Sequence, residues 1–343
     1  MTNKDFLATK NVVFSDPAYN FLKEDSRIKN SLILLCFGGS HAYGTNIETS
    51  DIDVRGICLN SKEEILSGTP FDQIIDNNTD TVIYSFVKIM KLLTEGNPNV
   101  LELIFQDPDR YLYLSDIGKE LIENKDMFLS KQLAKSFCGY ATGQLIKLKN
   151  RGFHSLSQPE QEERILDSIK RAQVTFPEKY FSSPEDSISL YVDKSDGDFE
   201  SEIFMDINLK HYPLRDYKAM WAEMHNIVKS YAQIATPKSS EEISAKVNKQ
   251  AMHPVRLLSM CTEVLNTGKL SVYREKEHDM LMAIRNGAYE SVTQPGKMSK
   301  EYFELIEDLL EENRKAEKRT KLPENPDYKR IQDFIIKVNS KLF

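Results

Sequence analysis

The sequence predicts an α/β chain, more narrowly α+β, with a small mixed-sheet domain followed by a largely helical one. Three observations predict this. Residues 31–86 hold short β-like runs separated by turn residues, and from residue 86 onward the apolar spacing changes from a period of two to one of 3.6. The chain has 343 residues, and a single hydrophobic core rarely grows much beyond about 250.

Residues 1–30 are mixed and charged without a strong period, and they read as a short N-terminal arm or a frayed helix. Ser31 to Phe37 is an apolar run closed by Gly38-Gly39, which fits a buried strand ending in a tight turn. Asp51 to Leu59 alternates polar with apolar, as a half-buried strand does. Phe71–Ile75 and Thr81–Phe86 read as two more strands around the turn-rich segment Asp76 to Asp80. Phe86, Ile89, Met90, Leu92 and Leu93 keep helical spacing up to Gly96, a plausible helix stop. Asn97-Pro98 restarts a helix, with Asn as cap and Pro where its missing N–H costs nothing. Leu133 to Leu148, Met220 to Ala232 and Val255 to Leu265 fit further amphipathic helices. Pro159, Pro177, Pro184 and Pro213 mark an irregular insertion near 151–216. Acidic residues from Glu301 to Glu312 precede basic ones from Arg314 to Lys321, which suits a helix macrodipole on a solvated face. The expected domains are therefore an arm at 1–30, a catalytic-type domain at 31–125 and a mostly helical region at 126–343.

Composition narrows the class. With 28% charged and 40% hydrophobic residues the chain is globular, neither fibrous nor disordered. Its longest apolar run, Leu32 to Phe37, is far short of the ~20 residues that cross a bilayer. Met1-Thr2-Asn3-Lys4-Asp5 lacks the apolar stretch of a signal peptide. Cys36, Cys58, Cys138 and Cys261 form no C-x-x-C pair, so a reduced, cytoplasmic protein without membrane partners is expected. Forty-five basic against 52 acidic residues leave a net charge of −7, which argues against a protein that coats nucleic acid but not against a local basic cleft.

One block carries chemistry: Gly38-Gly39-Ser40, ten residues, then Asp51-Ile52-Asp53. A glycine turn after a buried strand lets backbone N–H groups approach phosphate oxygens, and the Ser40 hydroxyl adds a donor. Asp51 and Asp53, two apart on a strand, project from one face about 6.6 Å apart along the backbone. With a third acid, such a pair holds two hard cations about 3.5–4 Å apart, neutralises triphosphate charge and activates an attacking hydroxyl. Taken singly, a Gly-Gly-Ser turn is an ordinary loop and an Asp-x-Asp a solvated strand end. Together they suit nucleotidyl transfer. The G-x-G-x-x-G spacing of a Rossmann loop and the Gly-Lys-Ser/Thr of a P-loop are both missing.

These residues resemble the hG[GS]…Dh[DE]h signature of the DNA polymerase beta-like nucleotidyltransferase superfamily. The longer string Gly39 to Thr45 with Ser50 to Gly56 is similar to its RlaP branch, as are Gly96 to Glu102, Phe137 to Ala141, Met252-His253 with Arg256-Leu257, and Ile284 to Gly287. The resemblance implies an NTP substrate, Mg2+ (or Mn2+) on Asp51 and Asp53, and phosphates held by Gly39 and Ser40. It also implies a third acid on a following strand, for which Asp80 is the choice and Asp76 and Glu102 the rivals. Glu102, on a helix, could instead orient a basic group. An RNA end is the acceptor its context suggests. A protein or small-molecule acceptor, or a non-catalytic nucleotide- or RNA-binding module, remains as an alternative. Lys249, His253 and Arg256 are candidate phosphate ligands, with ordinary surface charges as the rival reading, and Pro254 is expected to part Lys249 from the His253 helix. Arg274 and Arg285 are weaker candidates. His41 and Tyr43 could contact substrate, although buried structural roles are the commoner case.

Overall fold

The computed structural model describes residues 3–151, 188–194, 201–207, 240–293 and 296–342, with a few single positions between 210 and 221. Helix α1 (Asn3–Ser15), a 3-10 turn at Pro17–Tyr19 and α2 (Phe21–Glu24) lead into β1 (Leu32–Phe37). Then come α3 (Gly39–Tyr43), β2 (Val54–Cys58), α4 (Lys62–Ser67), β3 (Gln73–Asp76), β4 (Thr81–Ser85), α5 (Phe86–Thr94) and α6 (Pro98–Ile104). Strand β5 (Tyr111–Leu114), α7 (Asp116–Glu123) and α8 (Gln132–Arg151) follow. The sheet order is β3-β4-β2-β1-β5, with β2 parallel to β4 and the other pairs antiparallel. This is the mixed sheet the sequence predicts. Strand β1, paired on both sides, is buried almost throughout, which is why it reads as a continuous apolar run.

Local chemistry places the elements. Asn97 caps α6 by accepting the Asn99 N–H at 3.0 Å, with Pro98 at the first position, and Gly96 takes the left-handed conformation (φ +68°) that ends α5. Ser61 and Glu64 form a reciprocal capping box on α4.

Residues 3–31 do not behave as an arm. Phe6, Val13, Tyr19, Leu22 and Ile28 are buried in one core with Leu35, Phe37, Val54, Cys58 and Ile83, and Phe6 meets Phe37 edge-on at 5.5 Å. So few buried positions in α1 leave no strong period for a sequence reading to catch. The second strand is also shorter than expected. It begins at Val54, so Asp51 and Asp53 sit in the segment leading into β2.

The rest of the described chain contributes a hairpin, β6 (Ile188–Lys194) with β7 (Ser201–Ile207), and helices α9 (Ser240–Thr267), α10 (His278–Arg285), α11 (Lys300–Arg319) and α12 (Tyr328–Ser340). Two compact units result: Met1–Ile146 with Asn248–Glu290 and Met298–Phe343, and Lys147–Val247 with Ser291–Lys297. Most of the C-terminal helical region thus packs with the sheet. Tyr302 on α11 donates to the Ala251 carbonyl at 2.8 Å, and Asn313 donates to the Leu258 carbonyl at 3.0 Å. Helix α9 continues through Pro254, so Lys249 and His253 do share a helix. Burial of Val247, Ala251, Met252, Val255 and Leu258 offsets an interior proline's cost of about 3 kcal/mol. In the second unit, Tyr191 and Phe204 stack across the hairpin at 6.0 Å. The helix expected at 220–232 and most of the insertion at 151–216 lie outside the described residues. Among the described residues, no helix is long and apolar enough to cross a membrane.

Candidate active site

Strand β1 delivers the chain to a bend at Gly38-Gly39. The Gly38 N–H donates to the Asp53 carbonyl at 2.9 Å, closing the bend onto the acid-bearing segment. Gly39 has φ +55°, and a Cβ built on it would lie 2.1 Å from Asp53 Oδ2. Two requirements therefore coincide: a left-handed backbone and no side chain, because the Asp53 carboxylate fills that space. Ser40 follows, buried in the first turn of α3, whose leading N–H groups have no acceptor within the helix. Gly44 (φ +77°) ends α3 beneath the Tyr273 ring, 2.3 Å from where its Cβ would be.

Asp51 is exposed and Asp53 half-buried. While Asp53 Oδ2 faces the bend, Oδ1 accepts from Arg55 Nη2 at 2.9 Å. Arg55 Nη1 also donates to the Val54 carbonyl at 2.9 Å and to the Asp80 carbonyl, and the Arg55 stem lies against Gly38. Sequence reasoning missed Arg55, although the two-residue spacing that singles out Asp51 and Asp53 continues to it.

Parallel pairing of Val54 with Thr81 puts Asp80 at the register position beside Asp53. Asp80 has φ +46°, and its carbonyl accepts from the Val54 N–H at 3.3 Å. Burial first, then the negative fields of Asp16, Asp80, Asp76 and Asp53, hold the Tyr19 phenol above its ordinary pKa, so each of these acids lies within electrostatic reach of Tyr19. Asp76 is committed to its turn: Oδ1 accepts from Asn78 N–H, Thr79 N–H and Thr79 Oγ1.

Helices packed around α3 complete the surroundings. Glu102 on α6 is buried; Oε2 accepts from the Tyr43 hydroxyl at 2.7 Å and Oε1 from Arg256 Nη1. The Arg256 guanidinium lies 3.6 Å over the Tyr43 ring. Burial opposes its charge, but attraction by Glu102 and Tyr43 outweighs that and holds its pKa above the ordinary value. Glu102 thus orients a basic group, and Arg256, only 2% exposed, sits inside the fold over the Tyr43 ring. On the same helix Lys249 is exposed and His253 half-buried. Arg274 is buried between Glu263 and Glu277. Arg285 donates to the Thr45 carbonyl at 2.8 Å and to Ser50 Oγ at 3.1 Å, tying down the loop that carries Asp51. His41 packs on Phe37 and has a buried Nδ1 without a partner. Burial lowers its pKa against the pull of Asp53, the Asp51 backbone and the Asp51 carboxylate, with Arg285 adding to the lowering.

The donor chemistry fits a hard divalent cation. Asp53 supplies carboxylate oxygens beside a glycine cradle that a Cβ would fill, and the exposed Asp51 lies two residues before it. Among the described residues, no group of three or more His, Cys, Asp or Glu side chains converges as a metal site.

A mixed sheet whose first strand ends in a glycine bend opposed by an Asp-x-Asp is what the polymerase beta-like resemblance implies. Residues 18–160 match the model of RlaP, described as the RNA repair pathway DNA polymerase beta family, and the resemblance read from the motifs is borne out there. That family suggests a nucleotidyltransferase. A stretch of 133 residues is 27% identical to an uncharacterized 38.9 kDa protein in the nrdC-mobD intergenic region of Enterobacteria phage T4, covering 35% of this chain and 39% of that one. The chain therefore spans about two fifths of that relative's length.

Proposed function

We propose that the protein is a metal-dependent nucleotidyltransferase that moves a nucleoside monophosphate from an NTP to an acceptor hydroxyl or phosphate, releasing pyrophosphate. The observation that carries this is the Asp53 carboxylate set directly against the Gly39 bend. A structural turn has no need to place an anion beside a surface suited to anions; a site that brings a cation and a phosphate together does.

In this reading the Gly39 and Ser40 N–H groups and the Ser40 hydroxyl hold phosphate oxygens, the Gly38 N–H being taken by the Asp53 carbonyl. Asp51 and Asp53 hold Mg2+, which when bound neutralises the triphosphate and makes the acceptor oxygen more nucleophilic. The acceptor oxygen bonds to the α-phosphorus as the bond to the bridging oxygen of pyrophosphate breaks. Asp80, beside Asp53 in the register, is the third carboxylate and takes the acceptor proton. Lys249 and His253 are the proposed phosphate contacts from α9, and Arg256 acts by fixing Tyr43. An RNA end is the proposed acceptor, supported by the family's description as an RNA repair pathway family.

The test is transfer of label from each α-labelled NTP, with Mg2+ or Mn2+, to RNA ends, to protein and to small molecules. Pyrophosphate release is followed in parallel. Asp51→Ala/Asp53→Ala is expected to abolish both signals, and Asp80→Asn to reduce them by about a hundredfold or more. Nucleotide binding without turnover in wild type, unchanged in the double variant, would replace the enzyme by a binding module.

A further inference from the structure

Arg55 stands where the chemistry proposed above has no place for it. The superfamily logic calls for negative charge around Asp53, yet a guanidinium occupies Asp53 Oδ1. We propose that Arg55 is a switching counter-ion, bound to Asp53 before substrate arrives and passed to the incoming triphosphate, so that the divalent cation and the NTP bind well only together. This rests on the nucleotidyl-transfer reading.

Three features carry it. First, the arginine's two ends are held differently. Nη1 is anchored on the backbone carbonyls of Val54 and Asp80, whereas Nη2 makes the ion pair, so the tip can change partner without the side chain leaving the strand. Second, the pair is not sealed off: about a quarter of each side chain stays in solvent, 25% for Arg55 and 27% for Asp53, so an incoming ligand can reach it. Third, the Arg55 stem packs on Gly38, with Cγ 2.9 Å and Nε 3.6 Å from where a Gly38 Cβ would be, so the arginine lies directly against the glycine bend proposed to hold phosphates. A planar guanidinium suits phosphate as well as carboxylate.

The consequence is thermodynamic. A bare cation must compete with Arg55 for Asp53 and meets its repulsion. A triphosphate removes both obstacles by taking the guanidinium and supplying its own oxygens. Metal and nucleotide are then positively coupled, each tightening the other by the same factor.

The full-length protein is titrated with Mn2+ without nucleotide, and bound ion is followed by electron paramagnetic resonance. Arg55→Gln is expected to bind Mn2+ about tenfold more tightly than wild type, one unit charge having been removed from beside the site. Arg55→Lys keeps the charge and is expected to bind as weakly as wild type. In thermal melts, wild type is expected to be stabilised by Mg2+ with the four mixed NTPs by more than the sum of the separate shifts, and Arg55→Gln by no more than that sum. Equal or weaker Mn2+ binding by Arg55→Gln would overturn the proposal, showing that Arg55 builds the site instead of guarding it. If that variant fails to fold, tighter binding by Arg55→Lys than by wild type would overturn it instead. Asp53→Asn separates the two readings. If it leaves Mn2+ binding untouched in an otherwise wild-type chain, the ion does not bind at Asp53 and the nucleotidyl-transfer reading itself falls.

Discussion

Two arginine–carboxylate pairs flank the short helix α3, and they are built in opposite ways. Glu102 and Arg256 are closed off, with side-chain exposures of 7% and 3%, and both Glu102 oxygens are taken, one by the guanidinium and one by Tyr43. Asp53 and Arg55 are each about a quarter exposed, and only one Asp53 oxygen is engaged by the arginine. A buried pair is costly to break, because either partner left alone is an uncompensated charge in a poor solvent for it. A pair that keeps a quarter of its surface in water is weaker than a sealed one, and its members can find other partners. The contrast divides the labour around the bend: one pair fixes Tyr43 and hence α3, and the other is available for exchange.

Breaking the closed pair should produce the largest effect. Arg256→Ala leaves Glu102 buried and half-satisfied, and a loss of about 3–5 kcal/mol is expected, a fall in Tm of roughly 6 °C or more. Glu102→Ala should cost a similar amount, and the double variant clearly less than the sum, since the second change removes the orphaned charge. Arg55→Gln should stay within about 1 kcal/mol of wild type. Thermal and urea unfolding of the four variants checks this. An Arg256→Ala protein as stable as Arg55→Gln would erase the distinction.

A smaller effect separates backbone strain from loss of the site. Gly39 and Gly68 both adopt left-handed conformations, at φ +55° and +70°. A Cβ on Gly68 meets nothing within 4 Å, whereas one on Gly39 meets the Asp53 carboxylate. Gly68→Ala should therefore cost only the left-handed strain, about 1–2 kcal/mol. Gly39→Ala should cost that plus the displacement of Asp53, up to about 3 kcal/mol in all, and should weaken Mn2+ binding as Gly68→Ala does not. Equal behaviour of the two would mean that Asp53 yields freely and is not held in place by the bend.

What the sequence disclosed and what it hid follow the same line. Strand β1 and its glycine bend were legible because burial and chain reversal leave local marks: an unbroken apolar run and two glycines. The Asp-x-Asp was legible from spacing alone, although the strand it leads into starts only at Val54. Arg256 could not be placed that way. A helical period says that Lys249, His253 and Arg256 share a face, but whether that face meets solvent or Glu102, 154 residues away in the chain, is a tertiary fact. Strand β5, Tyr111–Leu114, is four residues at the sheet edge with neither an alternating pattern nor a glycine turn beside it, so nothing local announces it. The course of α9 through Pro254 has the same origin, packing overriding a local preference.

The smallest expected effect extends the comparison to a third pair, the most exposed of the three. Arg330 on α12 grips Asp126 with two hydrogen bonds, Nη1 to Oδ2 at 2.7 Å and Nη2 to Oδ1 at 3.1 Å, yet the side chains are 44% and 63% exposed. The hydrogen bonds from Arg330 hold the Asp126 carboxyl below its ordinary pKa, outweighing the opposing effect of partial burial. A lowered folded-state value means that the pair stabilises the protein above the unfolded-state value, about 3.9, and that this stability is lost as pH falls through the lower folded-state value. Asp126→Asn should therefore melt slightly below wild type at pH 7, by less than about 1 kcal/mol after solvent screening, and the gap should close below about pH 4. It should also shrink in 1 M salt. A gap that persists in acid or salt would mean that the residue acts through packing and not through charge. Exposure would then be a poor guide to which of the three pairs can be exchanged, and the role assigned to Arg55 would lose its physical basis.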